Sequence, residues 1–493
     1  MPRPQPRARS LGVATVLSST LMLAACMGGP PSTIATPVPD LPESYFALPQ
    51  GAAKGDLAAL MPLDDPAYAA LSAAALGNAP TLAEALARVE SARAGARGAR
   101  AARMPNLDAE SVARRNRINP AQFGEAGEAG IIPNELTSYG ANIIASWDPD
   151  LFGQLKAQQR AAAARIDATT AQAQAVRIAL LAEIAGSVTD WRVLAQQRAA
   201  LAADVKAAEA LAGLAGSREA SGIAPGFDRV RAEAAASASR SRLAALGSEE
   251  ARIIGRLVTL TGQEAATIAA ALASGEARSL AVRPAPAALP SDLLANRPDV
   301  AAAAAQLAAS DADLAAAARA RFPRITLSGV IGLLAFDLDR MFDENSLIGT
   351  LTASIAGPLI DFGRVGARID GAAADKKAAF AAYRGAVFTA LGDAEAAYGL
   401  VGASDREAAL AVTERDQLMR AASLAETRYK AGLASFLEVL EARRAADTSG
   451  ERAAAALGRA ARARIILWQA LGGSTPDTQR SAATCQSGCT AAS

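Results

Sequence analysis

The chain has 493 residues, of which 51% are hydrophobic and only 4% are aromatic. This composition excludes wholesale disorder and favours long Ala-rich helices that pack closely through small side chains. The net charge of +1 excludes a global field that would attract nucleic acid, and the absence of histidine removes the commonest general base and metal ligand. We therefore expect no enzyme activity, no catalytic residue and no metal site.

The N-terminus has the layout of a secretory signal peptide over residues 1–25, because three arginines precede an apolar run at 11–25. The run ends at Leu-Ala-Ala-Cys, which resembles a bacterial lipobox, so we predict cleavage before Cys26 and a diacylglycerol and N-acyl (palmitate) lipid on it. Met27 stands where Asp would signal retention in the inner membrane, which implies sorting to the outer membrane. An ordinary signal peptide with a chance cysteine is the alternative.

The mature chain divides into an N-terminal segment, two copies of one plan and a tail. Residues 26–77 are rich in Pro, Gly and small residues and are predicted to be an extended segment on a surface. Each copy consists of a helix, two strands and a hairpin of two long helices. The first copy, residues 78–283, has strands at about 106–114 and 139–147 and helices at about 153–221 and 227–260. The second, 284–473, has strands at about 325–333 and 347–357 and helices at about 363–431 and 436–470. Residues 474–493 are predicted to be a flexible tail, and the role of Cys485 and Cys489 is left open.

The duplication has a measurable register. Phe152 and Gly153 recur as Phe362 and Gly363, an offset of 210 (362 − 152), and the turn glycines (432 − 222) and closing glycines (472 − 262) repeat it. Two proline pairs instead have an offset of 218 (298 − 80 and 323 − 105). The eight extra residues of the first copy (218 − 210) therefore lie between Pro105 and Phe152. The helices keep a fixed length while the strand loops do not.

Each strand alternates apolar and polar residues over about nine positions, the length that crosses a bilayer when tilted. Alternation alone leaves a soluble four-stranded sheet as an equal alternative. Four strands cannot close a barrel, and an open edge cannot face lipid, so a membrane sheet would require several chains to combine their strands.

Five segments, in this order, resemble the outer membrane factors of the TolC/OprM/NodT type. They are SWDPDLFGQLKAQ (146–158), LPSDLLANRPDVAAAAAQLAAS (289–310), FPRITLSGVIG (322–332), PLIDFGR (358–364) and TRYKAGLASFLEVLEARR (427–444). The LPSDLL string is typical of the lipoprotein branch that serves RND efflux pumps. The resemblance covers nearly the whole mature chain.

The resemblance implies a mainly helical fold with a β-barrel part. A homotrimer would form a 12-stranded barrel in the outer membrane of a Gram-negative bacterium, on a 12-helix coiled-coil tunnel through the periplasm. Its partners would be outer-membrane lipid, a periplasmic adaptor (membrane fusion) protein and an inner-membrane RND pump. Its function would be passive export of small molecules such as drugs.

The resemblance also implies site residues at the hairpin turns. An acidic periplasmic gate would comprise Glu438, Glu441 and Asp228, the last being the counterpart of Glu438 in the first copy (438 − 210 = 228). The tip turns and adaptor contacts would comprise Gly222, Arg428, Tyr429 and Gly432. Alternatively, each acid is a solvated helix charge.

Two other functions remain open at this point. One is the exit duct of a type I protein-secretion system, which Cys26 and the LPSDLL string disfavour. The other is a structural periplasmic lipoprotein without a pore. A spacer of that kind does not need alternating strands, so the strands favour a channel.

Overall fold

The computed structural model describes residues 41–49, 55–119, 122, 133–275 and 283–473. The predicted signal peptide, the lipidation of Cys26, and the tail with Cys485 and Cys489 lie outside the described residues. Within them the chain is mainly helical with one four-stranded sheet, which confirms the predicted fold class at that level. A search of the described helices finds none that is both long and apolar enough to cross a membrane.

Thirteen helices and strands are used below. In chain order they are α1 (Pro66–Asn78), α2 (Pro80–Ala101), β1 (Asn106–Arg117), β2 (Glu135–Trp147), α3 (Gln154–Ala220), α4 (Gly226–Thr261), α5 (Ala265–Ala273), α6 (Asp292–Asn296), α7 (Pro298–Arg319), β3 (Arg324–Ala335), β4 (Leu347–Ala356), α8 (Arg364–Lys430) and α9 (Phe436–Ala470). Short 3-10 helices lie at Leu57–Leu60, Leu338–Arg340 and Glu344–Ser346. The strands β1 and β2 are longer than predicted, and α5 and α6 were not predicted.

The N-terminal segment corrects the sequence analysis. The prediction that residues 26–77 are extended is wrong for Leu57–Leu60 and for α1. Asp65 caps α1, since its Oδ1 accepts a hydrogen bond from the amide of Ala67 at 2.9 Å, and Pro66 occupies the first helical position. Proline is well tolerated there because that amide has no partner within the helix. The proline that suggested an extended chain therefore begins a helix.

The sheet is antiparallel with the order β1-β2-β3-β4. Its register pairs odd-numbered residues with odd-numbered ones throughout, for example Ile143 with Ile331 and Leu351 with Gly329. Opposite residues share a face, so although Ile144, Val330 and Ile348 lie on one face, most apolar positions of the four strands share the other, odd-numbered face. That face is exposed: Leu107 is 70% accessible and Leu351 is 86% accessible.

The chain forms two compact units. One comprises Ser91–Asp167 and Ala305–Ala381 and contains the sheet. The other comprises the described residues within 39–90 and 168–304 and the described chain from Ala382 onward, and it contains the largest apolar core. Fully buried side chains of that core include Leu71, Ile184, Leu257, Tyr398 and Trp468.

The joints between strands and long helices repeat in both copies. Gly153 and Gly363 precede α3 and α8 with φ of +74° and +86°, a conformation that costs glycine little. Asp150 accepts hydrogen bonds from two backbone amides at the start of α3, and Asp361 does the same before α8. These carboxylates occupy amides that lack helical partners, so each long helix begins at a defined residue.

Candidate functional site: the turns of the two helical hairpins

The turns of the two long hairpins have the same backbone geometry. Gly222 follows α3 with φ +65°, and Gly432 follows α8 with φ +76°. The amide after each glycine donates to the carbonyl oxygen five residues earlier, at 2.9 Å and 2.8 Å. This is the Schellman closure of a helix, in which the left-handed residue is usually glycine. The structure therefore places both predicted tip glycines at the turns.

The helices that return from these turns begin differently. Ser435 caps α9, and its Oγ accepts from the amide of Glu438 at 3.2 Å. Glu438 Oε2 in turn accepts from the amide of Ser435 at 2.8 Å, which completes a capping box. Pro225 occupies the corresponding position before α4 and makes no side-chain cap. Glu438, predicted to line a gate, therefore also holds the start of α9.

Hydrogen bonds to the carboxylate of Glu438 favour its ionised form. Those from the backbone and hydroxyl of Ser435 lower the pKa of Glu438, and the charge of Arg428 contributes. The side chain is exposed and, at neutral pH, is an anion at a helix N-terminus, where the helix dipole also favours it.

The other two predicted acids are also accessible. Glu441 is exposed one turn further along α9, on the same side as Glu438. Asp228 is half-buried in the first turn of α4, in the other hairpin. A search of the described residues finds no group of three or more Asp, Glu, Cys or His side chains that could hold a metal ion.

Apolar side chains pack the two hairpin turns together. We call this the tip cluster; its buried members are Ala215, Ala232, Tyr429, Phe436 and Val439. The rings of Tyr429 and Phe436 meet edge to face with centroids 5.8 Å apart, a favoured geometry for aromatic pairs. Since α3, α4, α8 and α9 all contribute residues, the cluster joins both hairpins.

Tyr429 belongs to this cluster rather than to the surface. Its residue is only 4% exposed, so its ring packs inside the tip cluster, and its contact with an adaptor stays a prediction. The guanidinium of Arg218 lies 4.4 Å from the ring centroid, and Nη2 lies 3.5 Å from the Tyr429 carbonyl oxygen. Arg428 is exposed, with Nη2 3.4 Å from the Leu433 carbonyl oxygen, and remains available at the tip.

The sequence analysis missed Arg218. Its signal was present in the duplication, because Arg218 and Arg428 are counterparts at the 210-residue offset (428 − 218 = 210). The two arginines have nevertheless diverged in what they contact. Arg218 lies over an aromatic ring, an arrangement worth about 0.5–2 kcal/mol.

The two turns also differ on their inner sides. Glu219 is the counterpart of Tyr429 and accepts from Arg229 Nε at 2.7 Å. Gly226 is the counterpart of Phe436, and a Cβ at Gly226 would collide with the Glu219 carboxylate. One turn thus has an ion pair where the other has an aromatic pair, on an identical backbone plan.

The fold and these paired turns can be compared with known proteins. Residues 71–263 and 289–473 match a family model described as "Outer membrane efflux protein", which covers more than half of the chain. The chain belongs to the outer membrane efflux protein family. This confirms the family predicted from the five sequence segments.

Individual relatives agree with the family. The solvent efflux pump outer membrane protein SrpC of Pseudomonas putida is 30% identical over 414 residues, which cover 83% of this chain and 86% of SrpC. The outer membrane protein OprJ of Pseudomonas aeruginosa is 29% identical over 440 residues, covering 89% and 90% of the two chains. The solved outer-membrane channel OprN superposes with a TM-score of 0.79 at 26% identity, covering 90% of this chain and 99% of OprN.

These similarities confirm that the chain is an efflux protein of the outer membrane. The family consists of channels rather than enzymes. The predicted localisation and the predicted broad function are therefore correct.

Proposed function

We propose that this chain is the exit duct of a tripartite RND-type efflux system and that it works as a homotrimer. Three chains would form a 12-stranded barrel in the outer membrane, continuous with a 12-helix periplasmic tunnel. Small molecules such as drugs would pass through it passively, driven by an inner-membrane pump that a periplasmic adaptor couples to the duct. The observation that carries this proposal is the four-stranded sheet, with two open edges and one exposed apolar face.

The edges require partners if the sheet lies in lipid. Within the described residues, β1 and β4 each pair on one side only. Unpaired backbone amides and carbonyls cost several kcal/mol each in a bilayer, which contains no water to bond them. Pairing β4 of one copy with β1 of the next removes both edges when the ring closes. Three copies contribute the number of strands that the family resemblance implies.

The face of the sheet fits the same arrangement. Leu347, Leu351 and Ile355 are 63%, 86% and 72% exposed, on the face that also carries Ile143 and Ile331. The opposite face of β4 carries Thr350, Thr352 and Ser354, as expected for a water-filled lumen. A periplasmic spacer without a pore would have no use for such a sheet.

The proposed cargo class follows from the relatives. SrpC is named for solvent efflux, and OpmQ of Pseudomonas putida, 29% identical over 400 residues, is named for pyoverdine export. Both names support small organic molecules as the cargo of this chain. The LPSDLL string supports the RND class of pump.

Measurements of molecular mass and of ion conductance test the proposed duct. We expect purified protein in detergent to have the mass of three chains by light scattering, and to form ion-conducting channels in planar bilayers. A monomer that forms no channels would contradict the proposal. A trimer without conductance would contradict the pore and leave the assembly standing.

We also propose that Cys26 carries the lipid predicted from the sequence. The support is the lipobox resemblance, which lies outside the described residues. Metabolic labelling with a radioactive fatty acid should mark the wild type and leave Cys26→Ala unmarked; a labelled variant would contradict the assignment.

Glutamine and alanine substitutions separate the charge of the proposed gate from the role of Glu438 in helix capping. Glutamine at 438 can retain the capping box, whereas alanine removes the side chain that accepts from the Ser435 amide and leaves only the Ser435 half of the box. We expect the double variant Glu438→Gln/Glu441→Gln to lose cation preference in bilayer recordings, because each acid would form a ring of three carboxylates in the trimer.

Glu438→Ala alone should additionally loosen the turn and give noisier or larger conductance. Glu249→Gln provides the matched control on an exposed part of α4. An unchanged ion preference in the double glutamine variant would exclude Glu438 and Glu441 from the gate.

A further inference from the structure

Two carboxyl groups contact each other between the two hairpins. Asp204 of α3 and Asp447 of α9 line the same two cavities, and a hydrogen bond between their side chains is among the causes that raise the pKa of Asp204. Two ionised carboxylates have only acceptors, so such a bond requires a proton on one of them. Asp447 is largely enclosed, with a side chain 14% exposed. One of the two carboxyl groups is therefore protonated, and little water surrounds Asp447.

The pair lies between two cavities. Both aspartates line a cavity of about 690 Å³ bounded by α3, α4 and α9. Both also line a cavity of about 430 Å³ bounded by α3, α8 and α9. The two aspartates therefore have open space on both sides.

The arginines nearest the pair direct their hydrogen bonds elsewhere. Arg242 of α4 donates to Glu451 at 2.9 Å and to Ser239 at 3.1 Å, and its Nη2 lies 3.7 Å from Asp447 Oδ2. Arg443 of α9 pairs with Glu426 of α8. Both guanidinium groups are thus shared with other acceptors, and they neutralise the two aspartates only in part.

Four further charged groups face these cavities. Arg231 of α4 lies over the ring of Phe227, and Arg415 of α8 bonds Asp416. Glu441 and Arg444 of α9 line the larger cavity, with opposite charges. Burial, followed by the charge and the hydrogen bond of Asp447, raises the pKa of Asp204 to about 7. The charges of Arg242 and Arg443 lower the pKa by less.

We propose that Asp204 and Asp447 share one proton and form a pH-sensitive latch that holds α3 of the first hairpin against α9 of the second. Loss of the proton places two carboxylates in contact, and their repulsion separates the helices into the flanking cavities. The latch adds pH control of hairpin packing to the proposed duct, and its chemistry does not depend on a pore.

The direction of the pH effect follows from proton linkage. The closed pair binds its proton up to about pH 7, whereas separated aspartates release theirs near the ordinary value of 3.8. The closed state therefore binds more protons between these values, and its extra stability falls as the pH rises through that window. Below the window the latch is at full strength, and above about pH 7 it is lost.

Hydrogen exchange of the full-length protein in detergent tests the latch. Backbone protection around residues 204 and 447, corrected for intrinsic exchange rates, should fall by up to about tenfold per pH unit from about pH 5 to pH 7 and then level off. Asp204→Asn should remove this slope, because its amide can donate to Asp447 without a titrating proton. Glu249→Gln, at an exposed position on α4 that lines neither cavity, should keep the wild-type slope.

An infrared measurement gives a second, independent readout. The wild type should show a protonated carboxyl C=O band that titrates near pH 7 and disappears in Asp204→Asn and in Asp447→Asn. A wild type whose corrected protection does not change with pH, or an unchanged carboxyl band in both variants, would overturn the proposal. Both measurements stand whether or not the protein conducts ions.

Discussion

Leu351→Arg is expected to prevent stable insertion into the outer membrane. Leu351 is 86% exposed, lies near the middle of β4 and belongs to the apolar face of the sheet. An arginine on the lipid face near the bilayer centre costs about 2–4 kcal/mol per chain, and the proposed trimer would incur this cost three times. The measurement is the fraction of protein that sediments with outer membranes and resists urea extraction.

The neighbouring residue provides a matched control. Thr352 lies on the same open-edge strand but on the opposite, polar face. Thr352→Arg adds the same charge and bulk, and should insert normally while reducing cation conductance, because the new charge would face the lumen of the proposed channel. Equal insertion of both variants would contradict the assignment of the apolar face to lipid. Failure of both would indicate that β4 cannot accept an arginine on either face.

Arg192→Met is expected to lower the stability of the unit that contains the main core by about 3–5 kcal/mol. Arg192 is 3% exposed and donates to both oxygens of Asp65 at 2.8 Å, and to the carbonyl oxygens of Leu272 and Ser274 at 2.7 Å. Its loss would leave a buried carboxylate and two carbonyls without these donors. Urea unfolding, followed by helical circular dichroism, measures the change.

Two further variants separate the buried charge from the rest of the site. Adding Asp65→Asn to Arg192→Met should recover part of the loss, because no unpaired charge remains and asparagine can still cap α1. Arg240→Met, which breaks an exposed pair with Glu209, should cost less than about 1 kcal/mol. If both arginine variants cost the same, the Asp65 contact contributes no more than a surface pair.

The contact between Asp65 and Arg192 predicts that acid lowers the stability of the unit that contains the main core. Burial alone would raise the pKa of Asp65, but the hydrogen bonds and charge of Arg192 outweigh it and hold the pKa below its ordinary value of 3.8. A carboxyl group with a lowered pKa stabilises the fold above that value, and the stabilisation is lost as the pH falls further. This is opposite in sign to the Asp204 and Asp447 pair.

The periodicity of the sequence predicted the faces of the strands and the positions of the long helices. Alternation placed Ile143, Ile331 and Leu351 on one face, as the strand register shows. Unbroken helical patterns between turn glycines located α3 and α8, each of which has 67 residues. These features depend on neighbouring residues, so a single sequence contains them.

Other features depended on residues far apart in the chain. The helix α1 had a readable start at Asp65 and Pro66, but the Pro-rich composition around it suggested an extended segment, and its anchor is Arg192, 127 residues away. The contact of Asp204 with Asp447 joins helices 243 residues apart (447 − 204). No spacing within either hairpin indicates such a contact, because it requires the packing of one hairpin on the other.

The odd-to-odd pairing of the strands limits how this protein can change in length. Deleting one residue within β4 would turn every residue beyond it to the opposite face, so that apolar groups would replace hydroxyls in the lumen of the proposed barrel. A loop between strands carries no such constraint. The eight residues by which the two copies differ fall between Pro105 and Phe152, the region that contains the first strand loop, whereas both long helices have equal length. We therefore expect natural insertions and deletions to collect in the loops, so that evolution can reshape the external opening of the proposed barrel without altering its wall.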